Sequence, residues 1–380
     1  MTEDRMTGQA SAPLAGLRIL EMAGIGPGPF CGMMLADHGA EVIRVERPGP
    51  PGLTDPTRDP LLRSRRTIAL DLKQPEAVAA VRRLAGTCDG LIEGFRPGVM
   101  ERLGLGPDVL IGDNPRLVYG RMTGWGQSGP LAHEPGHDID YIAISGTLHA
   151  LGEAGRKPTA PINLAGDFGG GGMMLAFGML AAILQAQASG TGQVVDCAMT
   201  EGSAVLASMI WGFRGMGQWS GARGTHLLDG GAHFYDTYET ADGKWIAVGA
   251  IEPQFYAALR RVMHLDGAEW DAQFAPAVWP RLKQELAYRF KQRSRDAWVA
   301  AFDGHEACVA PVLGFEEAAA HPHNVARGAF VTAGGVTQPA PAPRYSVSET
   351  VAPRMAGAQD GAAILAEAGF APAEIEALLG

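Results

Sequence analysis

Residues 17–45 read LRILEMAGIGPGPFCGMMLADHGAEVIRV. Leu17 to Met22 is strand-like, Gly24 to Pro29 is turn material, Phe30 to His38 has the length of a short helix, and Glu41 to Val45 is a second strand. Two parallel strands cannot be joined by a tight hairpin and need a crossover, usually a helix. The same alternation continues downstream. A third strand is predicted over 67–70. A helix follows over 75–85, with Pro75 at its start and Val78, Val81 and Leu84 at helical spacing. Leu91-Ile92 and Leu117-Val118-Tyr119 read as further strands. The fold expected is α/β, with a large Rossmann-like domain built on a mainly parallel sheet covered by helices on both faces.

Further along, Gly169 to Gly172 opens a long apolar helix ending near Gln187, and Gln193 to Cys197 is another short strand. Residues 200–231 read as a connecting region with a Met- and Trp-rich helix and a glycine-rich loop. The composition shifts near His233. There His233 to Thr240 and Lys244 to Ala250 flank Ala241-Asp242-Gly243, a hairpin signal. Three helical segments follow, near 253–263, 280–293 and 295–302. The predicted layout is a loose tail over 1–12, with Met6 as a second plausible start, and the large domain over 13–200. A linker over 201–232 leads to a smaller α+β domain over 233–330. A proline-rich linker and C-terminal helices occupy 331–380.

The composition narrows the function classes. The chain has 380 residues, is 46% hydrophobic and carries a formal charge of −10. An acidic chain of this kind argues against a nucleic-acid partner, which needs a basic face. Cys31, Cys88, Cys197 and Cys308 form no CxxC pair, so neither a zinc site nor a disulfide framework is suggested. The N-terminus has no apolar stretch of the secretory kind. The most apolar run, Met173 to Leu184, is short for a bilayer span. A cytoplasmic enzyme without membrane insertion is the expectation.

Gly24-Ile25-Gly26-Pro27-Gly28-Pro29 after the first strand, with Glu46 ending the second, imitates a dinucleotide fingerprint. The spacing is GxGxG, and Pro27 and Pro29 lack the N–H groups that would cradle a pyrophosphate. NAD is therefore not expected, although the turn admits another nucleotide-bearing ligand. Arg44, Arg47, Arg63, Arg65, Arg66 and Arg96 are candidate phosphate contacts, because guanidinium donates two parallel hydrogen bonds. Arg47 and Arg96 stand out, each just past a strand end and before a proline.

Pro135-Gly136-His137-Asp138-Ile139-Asp140-Tyr141 and Asn163-Leu164-Ala165-Gly166-Asp167-Phe168-Gly169 lie thirty positions apart, counted from His137 to Asp167. Asp138 and Asp167 each also suit a helix N-cap. An imidazole and a carboxylate facing one carbon from opposite sides would remove a proton from one face and return it to the other. Backbone N–H groups at two helix starts, with glycines permitting close approach, suit an enolate oxygen. Whether the two segments meet is left to the tertiary structure.

These segments belong to a wider set. It includes Leu14-Ala15-Gly16-Leu17-Arg18, Leu35-Ala36-Asp37-His38-Gly39-Ala40-Glu41-Val42, Glu93-Gly94-Phe95-Arg96-Pro97-Gly98, Gly124-Trp125-Gly126-Gln127 and Gly249-Ala250-Ile251-Glu252-Pro253-Gln254-Phe255. With them the chain resembles the α-methylacyl-CoA racemases of the class III CoA-transferase family, from Pro13 to about Tyr345. The resemblance implies epimerisation of a 2-methylacyl-CoA thioester through an enolate. His137 matches the base for the S-epimer and Asp167 the group serving the R-epimer. Glu252 matches a carboxylate that hydrogen-bonds the histidine, and Asp138 a backbone N–H that supports the thioester oxygen. Arg47 and Arg96 match CoA contacts; Ile25, Arg63, Gly94, Phe95, Gly136 and Tyr141 are further CoA or substrate positions. No metal or redox cofactor is implied, since CoA arrives with the substrate. The resemblance also implies an interlocked homodimer sharing its sites, with the C-terminal segment returning to the large domain. Two rival readings are a CoA transferase using Asp167 as nucleophile and a non-catalytic acyl-CoA-binding protein. Met173, Met174, Met199, Met209 and Met216 are either a plastic acyl surface or ordinary packing.

Overall fold

The computed structural model describes residues 11–49, 55–219, 221–357 and 360–380. The expected tail over 1–12 and the second start at Met6 fall almost wholly outside them. The chain divides into two compact units.

The first unit holds the described residues through Ser145, together with Ile162–Leu206 and Ala326–Gly380. Its sheet has six parallel strands: β1 (Arg18–Met22), β2 (Glu41–Glu46), β3 (Arg65–Ala69), β4 (Gly90–Glu93), β5 (Val118–Thr123) and β6 (Val194–Ala198). Their order is β3-β2-β1-β4-β5-β6, so the direction of winding reverses between β1 and β4. In open parallel sheets such a reversal leaves a crevice at the carboxyl ends of the strands.

Strand alternation assigns the two cores. Leu20, Met22, Ile43, Val45, Ile68 and Leu91 pack against α2 (Pro75–Ala85) through Val81 and Leu84, and against the C-terminal Ile364 and Leu365. Ile19, Val42, Ile92 and Val118 point the other way. They pack against Cys31 and Leu35 of α1 (Pro27–Asp37) and against Leu175, Met179 and Ile183 of the Met174–Ser189 helix. Burial on both faces explains why these strands read as nearly unbroken apolar runs.

Several boundaries differ from expectation for physical reasons. Helix α1 starts at Pro27 rather than Phe30, because prolines in a first turn lose no helical hydrogen bond. β3 starts at Arg65 rather than Thr67, because Arg65 is buried and ion-paired to Glu21 at 3.0 Å. A strand led by two arginines carries no apolar signal. The glycine-rich helix begins as a wide π-helical segment, Leu164–Met173, before the regular Met174–Ser189. Together they make one helix of 26 residues, longer than the expected run and apolar enough by length and composition to cross a membrane. Within this unit it serves as a core helix packed on β5 and β6.

The C-terminal segment belongs to the first unit. Asp360 donates its N–H to the Thr67 carbonyl at 2.9 Å, and the Gly361–Glu367 helix follows beside β3.

The second unit comprises Gly146–Pro161 and Ala207–Val325. β7 (Tyr235–Glu239), β8 (Trp245–Gly249) and β9 (Val309–Val312) form an antiparallel sheet in that order. The helices Pro253–Met263, Trp279–Phe290 and Arg295–Phe302 cover it around Phe234, Leu259, Trp270 and Phe290. The segment expected as a linker splits at Leu206. The part beyond it joins the second unit with the Gly146–Pro161 excursion. Arg223 stitches the two pieces, donating to the His149 and Arg156 carbonyls at 2.8 Å each. Bonds to backbone carbonyls leave no hydrophobic periodicity to read. The second unit also ends at Val325 rather than residue 330. Beyond it Phe330–Ala333 pairs with Val336–Pro339 as a hairpin of the first unit.

Candidate active site

A cavity of about 680 Å³ opens at the carboxyl ends of β1, β4 and β5, where the winding reverses. The β1 turn supplies Ile25 and Gly26, the β4 turn Gly94, Phe95 and Arg96, and the β5 end Thr123, Gly124 and Trp125. Gly136, His137, Tyr141, Asn163 and Asp167 complete the wall. The two segments singled out in the sequence therefore meet on one surface.

His137 occupies the N-cap position of the Asp138–Ile144 helix. Its carbonyl accepts from the Asp140 N–H at 2.8 Å, and its own N–H donates to the Asp140 carboxylate at 3.0 Å. Asp140, not Asp138, thus closes the helix start. Tyr141 anchors the residue before His137. Its hydroxyl donates to the Gly136 carbonyl, and its ring meets Trp125 edge-on at 4.8 Å. A Cβ on Gly124 would overlap that ring, and one on Gly136 would lie 2.7 Å from it. Burial pushes the Tyr141 phenol up to about 12, reinforced by Asp167 and Asp140.

Asp167 sits inside the π-helical segment rather than at its cap. Such wide turns recur at functional sites because they re-aim a side chain. Its carboxylate accepts from Asn163 Nδ2 at 3.1 Å. Gly26 lies against this carboxylate: it holds φ at 67°, and a Cβ there would lie 3.1 Å from Asp167 Oδ2. Burial raises the Asp167 pKa; Asn163 lowers it, Asp138 raises it further and His137 lowers it. The Asp138 carboxylate lies behind the wall. Its Oδ1 accepts from the Gly166 and Asp167 N–H groups, both at 2.7 Å.

A charged cluster backs the turn after β4. Glu93, 1% exposed, accepts the Phe95 N–H at 2.8 Å and Arg121 Nε at 3.0 Å. Arg121 in turn donates to Glu101 at 2.8 Å. The Gly94-Phe95-Arg96 turn is thereby fixed, and the exposed Arg96 is presented at the cavity.

Comparison with known proteins identifies the family. The model of CoA-transferase family III matches residues 14–357. The chain belongs to CoA-transferase family III. An α-methylacyl-CoA racemase from Mus musculus is 48% identical over 89% of this chain and 88% of its own. One from Homo sapiens is 48% identical over 84% of this chain and 82% of its own. The crystal structure of a CAIB/BAIF family protein from Brucella suis superposes with a TM-score of 0.81 at 27% identity. That superposition covers 95% of this chain and 100% of the Brucella chain.

Not every candidate of this family III chain lies at the cavity. Arg63 is 3% exposed and is spent inside the protein, on Asp37 at 2.9 Å and on Gln338 and the Pro339 carbonyl at 2.8 Å each. It is a structural arginine rather than a CoA contact. Arg44 and Arg65 share the buried Glu21, and Arg66 pairs with Glu41 and Glu367. Of the six arginines, Arg47 and Arg96 are exposed beyond strand ends, and Arg96 lines the cavity. Glu252 lies in the second unit, exposed at the N-cap position of the Pro253–Met263 helix. Among the five methionines Met199 lines the cavity.

The glycine run answers to packing rather than to a ligand. A Cβ on Gly170 would lie 2.6 Å from the Ser203 N, one on Gly171 2.9 Å from Pro27, and one on Gly172 2.8 Å from Phe30. Sequence reasoning missed Asn163 and Trp125 as site residues. Asn163 had one available signal, its place four residues before Asp167 on a helical segment.

Proposed function

We propose that this chain is an α-methylacyl-CoA racemase, interconverting R and S 2-methylacyl-CoA thioesters by proton removal and return. The observation that carries the reading is the presence of His137 and Asp167 on one cavity, with burial raising the Asp167 pKa. A two-base inversion needs one group protonated and the other not. The partly buried carboxyl holds its proton more readily than an exposed one. The imidazole takes the α-proton from one face, the enolate forms, and the Asp167 carboxyl returns a proton to the other face. The reverse direction exchanges the roles. As the first residue of its helix, Asp138 has an N–H without an intrahelical acceptor. That donor suits the enolate oxygen and is worth roughly 3 to 4 kcal/mol if preorganised.

A cavity of about 680 Å³ falls within the usual range for small-molecule sites, roughly 300–1,000 Å³. Arg96 and Arg47 are assigned to the CoA phosphates, with Ile25, Gly94, Phe95, Gly136 and Tyr141 as neighbouring contacts. The reaction moves only a proton, so it needs neither metal nor redox cofactor. From the family resemblance we assign Glu252 to orienting the imidazole. The same resemblance supports an interlocked homodimer, which sedimentation would register as twice the 39.9 kDa chain mass, and a cytoplasmic location is kept as part of the proposal.

The test is incubation of one epimer of 2-methyldecanoyl-CoA in deuterated water, with and without a carboxylic acid acceptor. Deuteration at the α-carbon and convergence of the epimers without acceptor are expected. His137→Ala and Asp167→Asn are each expected to slow epimerisation about a thousandfold, the scale of one acid/base group. Acyl transfer to the acceptor without α-deuteration would instead identify a CoA transferase with Asp167 as nucleophile. Tight acyl-CoA binding with neither reaction would identify a binding protein.

A further inference from the structure

We propose that the Asp138 side chain is a positioning residue that brackets the His137 and Asp167 backbones into one frame. The bracket itself stands on geometry; what it positions rests on the racemase reading. One carboxylate oxygen, Oδ1, accepts both the Gly166 and the Asp167 N–H at 2.7 Å. The residue is 7% exposed, and Oδ2 faces no hydrogen-bond partner among the described residues. A Cβ on Gly166 would overlap Oδ1, so the glycine before Asp167 is what lets the carboxylate reach both amides. The same Cβ would lie 3.2 Å from Ile142, one turn along the His137 helix, so the fit is closed on that side too.

The bracket has work to do because of the backbone it holds. A π-helical segment lacks the regular ladder of an α-helix. The Phe168 N–H reaches the Asn163 carbonyl at 3.3 Å, a long bond. Charge-assisted bonds from a buried carboxylate are shorter and roughly twice as strong as neutral ones. Asp138 follows His137 directly, so adjacent Cα atoms about 3.8 Å apart carry any shift of the bracket to the imidazole. One side chain therefore sets the spacing between the base and the acid. Its negative charge also opposes ionisation of Asp167 and adds to the raising of that pKa by burial.

The experiment compares the full-length wild type with Asp138→Ala and Asp138→Asn. Both variants keep the residue 138 N–H, so support of the thioester oxygen is unchanged. Epimerisation of 2-methyldecanoyl-CoA is followed across pH, and amide exchange at Gly166 and Asp167 is followed without substrate. Asp138→Ala should lose at least about tenfold of amide protection and about a hundredfold in kcat, the effect of roughly 1 Å of misplacement, with little change in KM. Asp138→Asn keeps a carbonyl oxygen able to accept two bonds but no charge. It should retain the protection and stay within about tenfold in kcat, and the pH limb set by Asp167 should move to lower pH. Unchanged protection or unchanged kcat in Asp138→Ala overturns the proposal. So do equal losses in both variants with an unmoved limb. If Asp138→Ala does not fold, the Asp138→Asn limb decides. A wild type that exchanges no α-proton sinks the racemase reading, and amide exchange still decides the bracket.

Discussion

Asp167 is tuned by burial and by three neighbours acting in opposite directions. Burial and Asp138 raise its pKa; Asn163 and His137 lower it. The Asn163 bond at 3.1 Å is the contribution most easily removed. In the direction where His137 is the base, Asp167 must carry a proton, so the rate falls as pH rises through the Asp167 pKa. Asn163→Ala takes away a donor that favours the ionised form, and that limb should move to higher pH. A pH profile of kcat/KM for each epimer checks it; a limb that stays put or moves down would remove Asn163 from the account. His137 and Asp167 were readable as candidates because imidazole and carboxylate are rare among glycines. The fates of the arginines were not readable. Arg63 and Arg96 carry the same side chain; one ends on a buried Asp37 and the other at the cavity, and only packing separates them.

Among the elements, the Leu164–Ser189 helix shows what glycine does here. A Cβ on Gly202 would overlap the Gly170 carbonyl, so the Met199–Leu206 helix crosses the π-helical segment backbone to backbone. Gly202→Ala should push them apart and cost about 1–3 kcal/mol or more, the range for overpacking. A denaturant midpoint measures this, and an unchanged midpoint would mean that the crossing is looser than described. Glu21 plays a comparable part in the sheet. It joins β1 to Arg44 of β2 and Arg65 of β3 on the face toward α1. Glu21→Gln leaves the buried Arg65 without a carboxylate and Arg44 with Glu46 alone, and should destabilise the protein by roughly 3–5 kcal/mol, read in the same titration. Apolar strands and amphipathic helices were legible because their periodicity is local. β3 and the π-helical segment were not, because buried ion pairs and backbone crossings involve distant residues.

For the molecule as a whole, the second unit carries a pH liability of its own. His233 is fully buried, with Nε2 on the Tyr256 hydroxyl at 2.8 Å and Trp270 and Phe234 edge-on around it. Its Nδ1 faces no partner among the described residues. Burial pulls its pKa down to about 4 from 6.5. The folded state thus resists a proton that the unfolded chain accepts below pH 6.5. The full contribution is present above that pH and is lost progressively down to about pH 4, a change of about 3 kcal/mol. His233→Gln, which cannot titrate, should flatten the unfolding free energy over that window. An equally steep slope in the variant would place the dependence elsewhere.

By itself the sequence determined the parallel alternation, the hairpin at Ala241-Asp242-Gly243, the helices after it and the family. Those features rest on periodicity, turn chemistry and motif residues, all of which act over a few positions. The tertiary structure alone decided that β1 and β4 are neighbours at the reversal of the sheet. It also decided that Gly146–Pro161 joins residues 207–325, and that Asp138 reaches across 28 positions to the Gly166 amide. Each depends on which distant groups are brought out of water together. A buried carboxylate or guanidinium takes its partner from the packed fold, and no neighbour in the chain announces which one it will be.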